Sequence, residues 1–150
     1  MKRMLILLAI LTSTVTLRAQ SAEDSVKAAI NQFFDALRNV DVALLKNSFS
    51  DSAILQTITM NREGKVGIRN EPVSGFANVL SQNQKGDLDE RTTFHAVKID
   101  GPLAHAWTPY KFFYKGQMSH CGVNSFILVR MNGRWKIQYI IDTRRRQGCE

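Results

Sequence analysis

Residues 103–143 contain the strongest indication of the fold, and they read LAHAWTPYKFFYKGQMSHCGVNSFILVRMNGRWKIQYIIDT. This stretch contains three runs rich in β-branched and aromatic residues, at Leu103–Tyr114, Ser119–Met131 and Trp135–Asp142. Between these runs lie Lys115-Gly116-Gln117 and Asn132-Gly133, and such glycine-containing sequences are typical of tight hairpin turns. The stretch therefore predicts three long antiparallel strands that follow one another in a meander.

The residues before this stretch have helical periodicity instead. Ser21 begins a predicted helix that ends at Asn39, with two acidic residues in its first turn. Its apolar residues recur at i, i+3, i+4 spacing: Val26, Ala29, Ile30, Phe33, Phe34 and Leu37. The other predicted elements are helices at 42–49 and 73–80, a strand at 53–58, a hairpin or loop at 61–72, and a fourth β-rich run at 92–99. Helices followed by a meander predict the α+β class.

The first 19 residues are typical of an export signal. Met1-Lys2-Arg3 is a basic start, the apolar run 4–11 follows, and Ala19 is a small residue where signal peptidase would cleave. The apolar run is shorter than the ~20 residues of a membrane-spanning helix. We therefore expect a signal peptide at 1–19, a single domain at 20–150, and a secreted or periplasmic protein without membrane attachment after cleavage.

The composition is that of an ordinary globular domain. The chain has 150 residues, of which 44% are hydrophobic and 22% charged, and this excludes a disordered tail, a collagen and a coiled coil. The formal net charge of +7 includes three basic residues of the expected signal peptide, Lys2, Arg3 and Arg18. The run Arg144-Arg145-Arg146 is too short for the wide basic surface that nucleic-acid binding requires, so we expect no nucleic-acid partner.

Several short segments carry a resemblance to a known superfamily. They are Phe33-Phe34-Asp35-Ala36-Leu37, the segment 44–53, and Gly133-Arg134-Trp135-Lys136-Ile137. The chain resembles the NTF2-like superfamily, the cone-shaped α+β fold of nuclear transport factor 2, ketosteroid isomerase and SnoaL-type cyclases. Segments 106–110, 120–126 and 141–145 are similar to exported bacterial members described as lumazine-binding. The resemblance implies helices packed on a strongly curved, mostly antiparallel sheet, whose open concave end forms a ligand pocket.

Pairing the strands across their turns predicts which side chains share the concave face. With two-residue loops at Asn132-Gly133 and Gly116-Gln117, Phe126 lies opposite Tyr139 on one side and beside Trp107 on the other. The predicted face carries the apolar residues Trp107, Phe126, Leu128, Trp135, Ile137 and Ile141. This is therefore the face that the helices should cover.

Polar residues on the predicted face mark a candidate ligand pocket. Tyr110 joins them if a bulge at Pro109 reverses the alternation of the strand. The predicted pocket residues are His95, Trp107, Tyr110, His120, Asn124 and Tyr139. The alternative is a closed core in which these polar groups satisfy one another.

Two functions fit such a pocket. An aromatic wall with a few hydrogen-bonding groups suits the binding of a small aromatic or hydrophobic molecule without catalysis. The alternative is an isomerase, cyclase or dehydratase in which His120 or His95 is the general base and Tyr139 or Asn124 polarises a carbonyl. Binding is favoured because no acid–base pair is evident. The pairing places Asp142 on the opposite face, as an exposed carboxylate beside arginines.

Three further expectations concern binding partners. No His-x-His or His-Glu-x-x-His spacing occurs, so we expect no metal ion and no cofactor. Arg144 and Arg145 either bind an anion at the rim of the cone or are simply solvated at a strand end. A homodimer is expected through an apolar patch on the outer face, made of Val123, Ile127, Val129 and Ile140.

The two cysteines permit a disulfide, because an exported protein meets oxidising conditions. The pairing places Cys121 across from Arg144, five residues before Cys149. A tail that turns back at Gly148 would bring the two cysteine Cα atoms to the ~5.5–6 Å that a disulfide needs. Two free thiols are the alternative.

Overall fold

The computed structural model describes residues 21–61 and 63–149, so the predicted signal peptide lies outside the described residues. Within these described ranges, three helices pack on one side of a seven-stranded, mostly antiparallel sheet, which confirms the predicted α+β class. The helices are α1 (Ala22–Asn39), α2 (Val42–Ser48) and α3 (Val73–Ser81). The strands are β1 (Phe49–Met60), β2 (Val66–Glu71), β3 (Leu88–Thr92), β4 (Ala96–Asp100), β5 (Leu103–Tyr114), β6 (Gln117–Met131) and β7 (Arg134–Thr143). None of the helices within the described ranges combines the length and the apolar character needed to cross a membrane.

The strands lie in the order β2-β1-β7-β6-β5-β3, and β4 pairs with the other half of β5. The predicted meander β5-β6-β7 is present, and β1 joins it in parallel beside β7. The run predicted at 92–99 is divided into β3 and β4, and β3 begins earlier than predicted, at Leu88. The two strands pair with opposite halves of β5, so together they extend along its whole length.

Helix α1 covers the concave face of the sheet. Ser21 caps the helix by accepting a hydrogen bond from the backbone N–H of Asp24 at 3.0 Å. Phe33 and Phe34 both pack edge-on against Phe126 of β6, with ring centroids 6.1 and 6.0 Å apart. Trp135 is buried on the same face, as its position in the sequence predicts. This core packs α1 against one end of the sheet. The cavity described below lies beyond it, between the sheet and the helices.

The register of the β5–β6 hairpin differs from the prediction. The turn is Lys115-Gly116, one residue earlier than predicted, and both residues have the positive φ of a type I′ turn. A bulge beside Phe113 shifts the register again. Trp107 therefore pairs with Ser125 rather than with Phe126, and its side chain lies on the outer face.

The β6–β7 hairpin has the predicted Asn132-Gly133 turn, but its register shifts at a bulge between Ile127 and Leu128. Beyond the bulge Phe126 pairs with Ile140 instead of Tyr139. The predicted placement of Ile140 in the outer apolar patch is therefore wrong, because its side chain is buried on the concave face. The same shift brings Asp142 to the concave face.

Candidate functional site

A cavity of about 520 Å³ lies between the concave face of the sheet and helices α1 and α3. Its helix side is apolar and includes Phe33, Leu37, Phe76 and Leu80. Its sheet side is mixed: Leu55, Leu88, Phe112 and Ile140 are apolar, and beside them lies a group of polar residues, Thr57, Glu90, Tyr110, His120, Asn124 and Asp142. This polar group is called the polar wall below, and it faces the apolar helix side.

Asp142 is the centre of the hydrogen bonds on the polar wall. Its Oδ1 accepts from the Thr57 hydroxyl at 2.6 Å, and its Oδ2 accepts from the Tyr110 hydroxyl at 3.0 Å and from Arg144 Nε at 2.8 Å. The side chain is buried, so the predicted exposed position on the opposite face is wrong. The cause is the β6–β7 bulge, which inverts the alternation of β7 at this point. Both oxygens of Asp142 already accept hydrogen bonds from neighbouring side chains. Asp142 is therefore suited to holding those side chains in position.

Tyr110 lies across the polar wall and is almost completely buried. Its hydroxyl is also 2.9 Å from the carbonyl oxygen of Thr143. Burial, followed by the negative charges of Asp142 and Glu90, raises the pKa of Tyr110, so the hydroxyl keeps its proton and remains a donor. Gly122 makes room for this arrangement, because a Cβ there would lie 1.8 Å from the Thr143 carbonyl oxygen and 2.9 Å from the Tyr110 ring.

Glu90 is the acidic group that sequence reasoning missed. Its Oε1 accepts a hydrogen bond from Asn124 Nδ2 at 2.7 Å, and within the described residues no hydrogen bond reaches its second oxygen. Burial raises the pKa of Glu90 from 4.5 to about 7; the Asn124 hydrogen bond opposes this rise and the charge of Asp142 adds to it. The only signal in the sequence is the alternation of Leu88 and Glu90, which both line the cavity. Glu90 is thus a carboxyl group that can exchange a proton near neutral pH.

His120 stands at the edge of the polar wall. Its ring lies against the rings of Tyr110 and Phe112, at centroid distances of 5.8 and 4.9 Å, and its Nδ1 is 3.1 Å from the Ser119 hydroxyl. Burial and then the charge of Arg144 lower the pKa of His120, which favours the neutral imidazole. Across the described residues no group of three or more His, Cys, Asp or Glu side chains is arranged to hold a metal ion.

The structure brings only part of the predicted pocket together. The predicted residues that line the cavity are Tyr110, His120, Asn124 and Arg144. His95 is exposed just before β4, and Trp107 is 44% exposed on the outer face, so their predicted places in the pocket are wrong. Tyr139 also faces outward, where its hydroxyl donates to Gln56 Oε1 at 2.6 Å. Arg145 does not line the cavity. Tyr110 reaches the cavity through the shifted hairpin register.

The carboxyl-terminal tail folds back onto β6. The backbones of Arg145 and Cys121 exchange two hydrogen bonds, at 2.8 and 2.9 Å. Cys121 and Cys149 are joined in a disulfide with their Cα atoms 5.6 Å apart. This connection fixes the segment that carries Arg144, and so holds the guanidinium group beside Asp142.

No protein-family model and no curated protein matches this sequence. Solved structures do match its fold. An NTF2-like protein of unknown function from Shewanella baltica has 14% identity and a TM-score of 0.63, over 81% of this chain and 91% of that one. A protein with a cystatin-like fold from Nostoc punctiforme has 11% identity and a TM-score of 0.65, over 85% and 95% of the two chains. A candidate dehydratase of the NTF2-like family from Streptomyces avermitilis has 12% identity and a TM-score of 0.61, over 82% and 95%. The chain has the NTF2-like fold.

Proposed function

We propose that this NTF2-like chain binds a small molecule with an apolar or aromatic body and a polar end. The observation that carries the proposal is the cavity of about 520 Å³, with an apolar wall facing a polar one. Ligand pockets usually have volumes of ~300–1,000 Å³, are lined mainly by apolar groups and contain a few placed polar groups. The cavity has each of these properties.

The polar end of the ligand is expected at Glu90 and Asn124 rather than at Asp142. Asp142 already accepts from three donors, whereas the second oxygen of Glu90 accepts from none of the described residues. A ligand hydroxyl could donate to that oxygen while its ring packs against Phe33 on the opposite wall.

The proposal can be tested with 2-naphthol, a bicyclic aromatic molecule with one hydroxyl group. Calorimetry would give its affinity, and amide chemical shifts of the unmodified protein would locate it. Ile140→Trp places a large ring in the cavity, and Ile141→Trp places the same ring on the outer face as a matched control. We expect 2-naphthol to shift amides of cavity-lining residues, and only Ile140→Trp to abolish binding.

Shifts confined to the outer face, or no binding at millimolar 2-naphthol, would show that the cavity is not a ligand pocket. The shift experiment uses the unmodified chain, so it decides the matter even if Ile140→Trp does not fold.

Proton transfer is a second candidate function, favoured by a separate observation. Glu90 combines a pKa of about 7 with a place in the cavity lining and an oxygen that accepts no hydrogen bond from the described residues, which is the combination expected of a general base. In this second function Glu90, and not His120 or His95, is the base. The match to a candidate dehydratase is in keeping with chemistry that needs a proton acceptor.

The exchange of the α-protons of 2-tetralone for deuterium, followed by NMR, tests this function. We expect the protein to accelerate exchange and Glu90→Gln to remove ~10²–10⁴-fold of that acceleration, the range typical of a general base. Glu63→Gln, at an exposed turn, is the matched control and should change nothing. Equal exchange rates with and without protein would eliminate proton transfer for this class of substrate while leaving ligand binding intact.

Export also remains our proposal, and the disulfide supports it because disulfides persist mainly in oxidising compartments. The intact mass of exported protein should correspond to an amino terminus within two residues of Gln20. A mass that includes residues 4–17 would contradict export by a cleaved signal peptide.

A further inference from the structure

A row of polar residues crosses the concave face from the open edge of the sheet to its interior. Arg69 on β2 pairs with Thr57 on β1, which is level with Asp142 on β7, which pairs in turn with Asn124 on β6. Partners in such a register point to the same face, so all four side chains face the helix side of the sheet. Three of them are buried, and Arg69, at the open edge, is exposed.

Arg69 differs from the other arginine at the cavity. Arg144 is paired with Asp142 at 2.8 Å, whereas Arg69 makes no salt bridge with any carboxylate of the described residues. Glu71, the nearest acidic residue along β2, places its Oε1 against Gly75 in the first turn of α3. Arg69 therefore presents a positive charge without a salt-bridge partner among the described residues at the mouth of the cavity, which it lines together with Glu71.

The two ends of the cavity have opposite electrostatic character. Glu90 and Asp142 lie on its inner wall, so an anionic group would be repelled there and attracted to Arg69. Neighbouring strands are ~4.8 Å apart, and three spacings separate Arg69 from Asn124, so their Cα atoms are about 14 Å apart. With the Arg69 side chain extended inward, a molecule roughly 10 Å long could contact the Arg69 guanidinium at one end and Asn124 at the other.

We propose that Arg69 binds the carboxylate of an elongated amphipathic ligand whose opposite, uncharged polar end lies at Glu90 and Asn124. This inference rests on the proposed ligand-binding function and names the ligand class. The planar guanidinium matches a carboxylate through two parallel hydrogen bonds. One arginine without a salt-bridge partner, in a cavity that Glu71, Glu90 and Asp142 also line, suits a monoanion, whereas a phosphate dianion would need a further cation.

The test compares 6-hydroxy-2-naphthoic acid with 2-naphthol, which has the same ring and hydroxyl group but no carboxylate. We expect the acid to bind about tenfold more tightly, the gain typical of one charge-assisted contact at a partly exposed site. Arg69→Gln should remove this preference and leave the affinity for 2-naphthol unchanged, and Arg69→Lys should retain part of it. Arg134→Gln, at an exposed position of β7 away from the cavity, is the matched control and should keep the whole preference.

The possible failures are distinguishable. If 2-naphthol binds in the cavity and the acid binds no more tightly, the role of Arg69 is refuted and the ligand pocket stands. An equal loss of both affinities in Arg69→Gln would also refute it, because the effect would be structural. If neither molecule binds, both proposals are wrong.

Discussion

Glu90 should make the protein less stable as the pH rises from 5 to 8. Its pKa is about 7 in the folded chain and 4.5 in ordinary surroundings, so over this interval the folded state holds a proton that the unfolded state has lost. Stability falls with pH wherever the folded state binds more protons. The contribution of the Glu90 proton to the free energy of unfolding is complete below pH 4.5, shrinks as the pH rises, and is gone above pH 7. Integrating between pH 5 and pH 8 gives a loss of about 2.5 kcal/mol.

The assay is urea unfolding at pH 5 and pH 8, with the disulfide intact and the fluorescence of Trp107 and Trp135 as the probe. For an m value near 1.5–2 kcal/mol/M, a loss of about 2.5 kcal/mol lowers the midpoint by about 1–2 M urea. Other groups also titrate, among them His120, whose lowered pKa acts in the opposite direction. The informative quantity is therefore the difference between the unmodified chain and Glu90→Gln, which keeps the shape of the side chain without its charge.

We expect Glu90→Gln to lose this part of the pH dependence and Glu63→Gln to retain it, because Glu63 is exposed in the turn between β1 and β2. Parallel profiles for Glu90→Gln and the unmodified chain would show that burial does not raise the pKa of Glu90. They would mean that water reaches the Glu90 carboxylate freely, and the case for a general base would weaken with it.

Three further substitutions, two of them with a matched control, test the packing by thermal or urea unfolding. Gly122→Ala should destabilise by about 1–3 kcal/mol or more, since its Cβ would overlap a neighbouring carbonyl oxygen, whereas Gly67→Ala, with its nearest contact at 3.3 Å, should have little effect. Cys149→Ala should cost about 3–4 kcal/mol, because the disulfide closes a loop of 28 residues. Trp135→Ala should cost about 3–5 kcal/mol, and Trp107→Ala on the exposed outer face much less; equal losses would contradict the assignment of the two faces.

Local signals in the sequence were enough to predict most of the helices and strands. The helix cap at Ser21, the apolar spacing of α1 and the Asn132-Gly133 turn each depend on residues close together in the chain, and the structure contains all three. The resemblance to NTF2-like proteins added how such elements assemble. Strand β3 was not predicted as a separate strand. Leu88–Thr92 contains three charged residues, so the sequence shows no alternation of apolar and polar residues there.

The site was harder to predict because it depends on the parity of the strand register. A side chain changes face when the register shifts by one residue, so every predicted face beyond an unrecognised bulge is inverted. The bulge beside Phe113 places Trp107 on the outer face, outside the cavity. The same bulge places Tyr110 on the concave face, where it lines the cavity. His120 and Asn124 line the cavity, because both lie on β6 with the same alternation as Phe126, from which the concave face was predicted.

The bulge between β6 and β7 has the largest chemical consequence. Without it, Asp142 would be a solvated carboxylate beside arginines, where an ion pair contributes little. With it, Asp142 is buried, holds Tyr110 and Arg144 in place, and adds its negative charge to the burial that raises the pKa of Glu90. Two carboxyl groups in one cavity thus acquire different roles from their surroundings: Asp142 is fixed by three donors, and Glu90 is left able to exchange a proton. One inserted residue in the sheet therefore determines both the shape of the polar wall and the chemistry available on it.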